Sequence, residues 1–125
     1  MNNDLKPHVA GRGHHKLEAW KVSRELVKRI YVLTQTFPKE EMFGLTSQIR
    51  RAAVSIPSNI AEGAARTGDK EFAQFLNFAR GSLSELETQL LIASDLGYVN
   101  GNDPVFNVLD QVSRLITGLH KSVRS

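Results

Sequence analysis

Between Asp69 and Leu96 the apolar residues Phe72, Leu76, Ala79, Leu83, Leu86, Leu90 and Ala93 recur in alternating steps of four and three. That spacing keeps one side of a helix apolar over three heptads, the pattern of a bundle or coiled-coil seam. A helix with such a seam must find partners for it, so the rest of the chain has to supply matching faces. Phe75 and Phe78 broaden the first half of the stripe. Gly81 in the middle of the helix costs about 1 kcal/mol relative to alanine, which predicts a close backbone approach there. Gly97 suits the end of the helix.

Matching faces are present on both sides. Leu17–Thr36 carries Ala19, Val22, Leu26, Ile30, Leu33 and Phe37 at helical spacing, widened by Trp20, Val27 and Tyr31, until Pro38 breaks the pattern. The segment LTSQIRRAAVSIPSNIAEG at 45–63 places Leu45, Ile49, Ala52, Ala53, Ile56 and Ile60 on one face, with Pro57 inside. Thr46 is its candidate N-cap, and Gly63 reads as a left-handed residue closing it. With a turn centred near Ala65–Arg66, antiparallel pairing sets Ala52 and Ala53 opposite Ala79 and Phe78, and Arg51 opposite Arg80. Asp103-Pro104 then starts a last helix with Val105, Leu109, Val112, Ile116, Leu119 and Val123 on one face. No stretch alternates as a strand does. The fold predicted is all-α: an up-down-up-down antiparallel four-helix bundle over residues 17–125, preceded by a flexible arm at 1–16.

Composition narrows the classes of function. The chain has 125 residues, enough for one core, and 41% hydrophobic with 23% charged residues argues against disorder of the whole. There is no cysteine, which removes disulfides, thiolate metal sites and a cysteine nucleophile. The opening MNNDLKPHVAGRGHHK lacks the apolar core of a signal peptide, and no apolar run is long enough to span a membrane. The expected location is the cytoplasm, with no membrane partner. A net charge of +3 permits nucleic-acid binding without demanding it.

Catalytic constellations are missing. The Glu-x-x-His repeat of di-iron bundles is absent, as are phosphate loops, nucleophile elbows and zinc spacings. His14-His15 on an arm has no fixed geometry for a metal. No catalytic residue, metal or cofactor is assigned. The remaining chemistry lies on the surface. Arg50, Arg51, Arg66, Lys70 and Arg80 gather on the second and third helices, and Lys21, Arg24 and Lys28 line one side of the first. They are the candidate nucleic-acid contacts. Ion pairing with Glu62, Glu85 or Glu87, or plain solvation, explains them equally well. Expected helix-surface pairs are Glu25–Arg29 and Asp110–Arg114. The polar residues Gln48, Ser55, Asn59 and Glu62, with Glu85, are the candidate subunit interface, the other reading being a solvated face. His120 near the chain's end suits the helix dipole.

Trp20, the Tyr31–Phe37-Pro38 segment, the 45–63 block, KEFAQFL at 70–76 and ARGSLSELETQL at 79–90 together resemble a known family. It comprises the four-helix-bundle proteins encoded within intervening sequences of bacterial large-subunit ribosomal RNA genes. More distantly, the pattern is similar to the accessory variability determinant of diversity-generating retroelements. The resemblance covers roughly 17–120 and implies a small bacterial bundle assembled as a closed five-fold ring, a homopentamer. It places the 45–63 and 79–90 blocks at subunit contacts. By analogy with the retroelement relative, which binds nucleic acid through a basic surface and associates with a reverse transcriptase, it implies RNA or DNA binding. Where Gly68 stands the family often has a serine, so the capping box with Glu71 loses its side-chain cap here. The expectation is a non-enzymatic, ring-forming bundle binding structured RNA or DNA. The alternative is an oligomeric adaptor for a protein partner, with no nucleic-acid role.

Overall fold

The structure, a computed structural model, describes residues 13–124. It contains α1 (Glu18–Thr34), α2 (Leu45–Ala64), α3 (Asp69–Asp95) and α4 (Val105–Arg124), with short 3-10 turns at Gly13–Lys16 and Lys39–Glu41. No strand occurs among the described residues. Neighbours in sequence pack side by side, and α4 returns to α1 to close the bundle. The expected arm at 1–12 lies outside the described residues. Residues 13–16 do not hang free of the bundle: their turn packs on α1 and α2, and the His14 ring meets the edge of Trp20 at 4.9 Å.

The apolar stripes meet where their spacing predicts. Leu26, Ile30, Ile49, Ile56, Ile60, Leu76, Leu86, Leu90, Val112 and Ile116 are fully buried, with Ala52, Ala53, Ala79 and Ala93 letting the helices close around them. Three residues expected to widen the stripes do less: Phe75 is half-buried, while Tyr31 and Phe78 are largely exposed.

Helix ends follow local chemistry, with two departures from the sequence expectation. Gly97 has φ +82° and closes α3 with Tyr98 N–H donating to Ala93 O and Gly97 N–H to Ser94 O, a Schellman arrangement. Asp103 Oδ1 accepts the Val105 N–H at 2.8 Å and caps α4. Thr46, however, is not the cap of α2. It is buried with an unpartnered Oγ1, and Glu41 Oε1 instead accepts the Leu45 N–H at 3.3 Å. Nor does Gly63 end α2: it lies buried within the helix. A Cβ there would sit 2.7 Å from Phe75 Cβ and 3.0 Å from Phe72 Cδ1. The close approach between α2 and α3 is therefore at Gly63. At Gly81, where it was expected, an added Cβ would meet nothing within 4 Å.

The α2–α3 register also differs from the expected one, with Gly63 set against Phe72 and Phe75. The connection spans Ala65–Gly68, later than the turn centre assumed from sequence. Arg51 and Ala52 line one groove with Ser82 and Glu85, and Arg51 does not face Arg80.

Candidate nucleic-acid and assembly surfaces

Several of the basic candidates are engaged within the chain. α1 has no basic residue in its own last turn to meet its exposed carbonyls. Arg50 comes across from α2 to do so. Its Nε donates to Thr34 Oγ1 at 2.8 Å, a terminal nitrogen reaches Tyr31 O at 3.5 Å, and the guanidinium lies 4.6 Å over the Tyr31 ring. Arg66 donates to Glu62 Oε2 at 3.0 Å and stacks 4.8 Å over Phe75, covering the α2–α3 turn. Lys21 pairs with Glu18 at 3.7 Å, and Arg24 lies 4.8 Å over Trp20. These exposed pairs contribute little to stability, yet they take up cations offered to phosphates. The expected Glu25–Arg29 and Asp110–Arg114 pairs are not closed: among the described residues the ion pairs are Lys21–Glu18 and Arg66–Glu62.

Lys28, Arg51 and Lys70 each line a different groove, and Arg80 lies beside Asn77 on α3. Lys28 shares a shallow groove between α1 and α2 with Arg24, Val54 and Pro57. Arg51, Gln48 and Ser55 on α2 face Ser82, Glu85 and Gln89 on α3 across a groove of about 400 Å³. Arg51 and Glu85 carry opposite charge in that groove without forming an ion pair. Gln89 is only 8% exposed, and its Oε1 is buried without a hydrogen-bond partner. An orphaned buried acceptor of this kind costs about 1–3 kcal/mol. Two members of the polar stripe are turned partly inward on their own helix: Ser55 Oγ donates to Ala52 O at 2.7 Å and Asn59 Nδ2 to Ser55 O at 2.8 Å. Both flank Pro57 in sequence, but neither bond reaches Ala53 O, the carbonyl that the proline leaves without its helical donor.

Lys70 and Arg80 belong elsewhere. α3 begins and α4 ends at the same end of the bundle, and Lys70 lines a groove there with Gln74, Asn77, His120 and Arg124. Arg80 donates to Asn77 Oδ1 at 3.3 Å. His120 is held below the ordinary histidine range by burial, then by the positive charges of Arg80 and Arg124. The dipole reading of His120 expected its cation to be favoured; burial first, and the neighbouring arginines after it, reverse that. His120 and Arg124 were not among the candidates from sequence. Their i,i+4 spacing, which puts them on one face, was the signal available.

At the opposite end Glu41 joins two connections. Tyr98 Oη donates to Glu41 Oε2 at 3.0 Å, and the Tyr98 ring tilts against Phe37 at 5.5 Å. The hydrogen bond to Glu41, with burial and the charges of Glu41 and Glu40, raises the phenol above its usual range. Among the described residues no cluster of three metal-ligating side chains exists, and no helix is long and apolar enough to cross a membrane.

Four antiparallel helices around one apolar core, with charged grooves between neighbours, define a small helical-bundle protein. Within that class the chain matches the family model described as 23S rRNA-intervening sequence protein over residues 15–118, and it belongs to that family. The family is not one of known enzymes. No curated protein shows significant similarity to the chain.

Proposed function

We propose that this protein is a non-enzymatic assembly module whose copies associate through the α2–α3 face and present basic residues to a nucleic-acid backbone. One observation carries the assembly reading: the groove between α2 and α3 holds Arg51 and Glu85 unpaired and the Oε1 of Gln89 buried without a partner. A neighbouring copy supplies the counter-charges and the donor that the chain itself does not. Phe78 and Ile92 on α3 and Leu96 just beyond its end are exposed and give the same face apolar flanks, as subunit contacts commonly have. By family resemblance the assembly is a homopentamer. Gln48, Ser55, Asn59, Glu62 and Glu85 are its proposed contact residues.

The test is the mass in solution. Sedimentation of the wild type is expected to give a single oligomer, Glu85→Arg to dissociate it with helicity retained, and Arg51→Glu with Glu85→Arg to restore it. A monomeric wild type, or a Glu85→Arg variant that assembles unchanged, overturns this reading.

Lys28, Lys70 and Arg80 support the nucleic-acid part, because no carboxylate pairs with them among the described residues. Fluorescence anisotropy with structured RNA and duplex DNA tests it. Binding that persists near physiological salt, with a log–log salt slope reporting several phosphates, is expected. Binding confined to low salt would instead favour an adaptor that engages another protein.

A further inference from the structure

We propose that the groove between the start of α3 and the end of α4 is where phosphates of a nucleic-acid backbone seat, held by Lys70, Arg80, His120 and Arg124, and that this binding takes up a proton. The proposal rests on the nucleic-acid reading above and assigns it a site.

The groove has a volume of about 640 Å³. A single water occupies about 30 Å³, so a length of chain rather than one small ion matches the space. Lys70 enters it from the first turn of α3, and His120 and Arg124 line its other wall one helical turn apart on α4. Arg80 stands behind Asn77, near enough for its charge to bear on His120. Asp69 is the carboxylate lining the groove. No ion pair forms between it and Lys70, Arg80 or Arg124. Two permanent cations, Lys70 and Arg124, thus line the groove with one carboxylate, while Arg80 is held beside it by Asn77 Oδ1; unlike Arg66 and Lys21, none of the three forms an ion pair.

Other charges near this end leave the balance positive. Glu71 lies on α3 beside Lys70, and Lys121 follows His120 on α4. At the facing end of α1, Glu18 and Lys21 are paired with each other. A phosphate entering the groove cancels the repulsion that Arg80 and Arg124 exert on His120 and offers its N–H an anionic acceptor. The imidazolium is more favoured in the complex than in the free protein, so affinity rises as pH falls towards the range where His120 titrates.

The experiment is an anisotropy titration of the full chain with a fluorescein-labelled, mixed-sequence RNA hairpin, across salt and across about pH 7.5 to 5.5. Near 150 mM salt, Lys70→Gln with Arg124→Gln is expected to weaken binding by roughly tenfold or more and to flatten the salt slope by about 2. Arg29→Gln with Lys39→Gln, exposed cations outside the groove, is expected to leave binding near wild type. Wild-type affinity is expected to rise on acidification and that of His120→Gln to stay flat, with circular dichroism showing all variants folded. A groove double variant that binds as well as wild type overturns the site. A pH response unchanged in His120→Gln overturns the proton linkage. Wild type that binds no RNA near physiological salt overturns the underlying nucleic-acid reading and the site with it.

Discussion

At the scale of single residues, the glycines separate what is legible locally from what is not. Gly63 ends an apolar pattern, which suits a left-handed cap; it is instead the point where α2 and α3 touch. Either role suits a glycine near a helix end. Choosing between them requires the register of α3, and that register is set by a turn whose length periodicity does not fix. Gly63→Ala is expected to destabilise the fold by about 1–3 kcal/mol, because the clash is with a Cβ fixed to the opposing backbone. A lower urea midpoint with an unchanged m-value checks this; an unchanged midpoint refutes the close contact. Arg50 shows the same limit. Its charge was visible in the sequence, but its use as a cap for α1 depends on a partner sixteen positions away.

At the scale of elements, the helices and their inner faces were almost wholly readable. Period is a local property, and burial follows it: Leu76, Ala79, Leu83, Leu86, Leu90 and Ala93 all lie in the core. What failed was the inference from a glycine in mid-helix. Gly81 lies off the α3 stripe, and it is exposed with nothing approaching it. With no contact to lose, Gly81→Ala is expected to stabilise the helix by about 0.5–1 kcal/mol by reducing the freedom of the unfolded chain. Thermal unfolding followed at 222 nm measures this, and a fall in midpoint would mean that the glycine serves a contact in the assembled protein. The grooves were less legible than the seams. Lys70 and Arg80 were found as charges, but their companions His120 and Arg124 lie on another helix, and only packing brings the two helices together.

At the scale of the whole molecule, the two ends of the bundle differ. One end is tied by Tyr98, which joins the connection after α3 to the connection after α1 through Glu41. These residues are 57 positions apart, so no local pattern could announce the bond. The phenol is raised above 10.0 in the fold, so its contribution is complete below the unfolded value and is lost as pH climbs through the higher folded one. Stability is therefore expected to fall above about pH 10 in wild type, and Tyr98→Phe to have a lower midpoint at neutral pH but a flatter alkaline limb. Denaturation series across that range decide it, with parallel curves for the two proteins counting against the bond. The other end holds the α3–α4 groove and, at the start of α1, Trp20, buried beneath Arg24 and edged by His14. As the single tryptophan of the chain, it makes intrinsic emission a report from that end alone: loosening there shifts the spectrum towards the red, while rupture of the Tyr98 tie passes unseen unless it spreads down the helices.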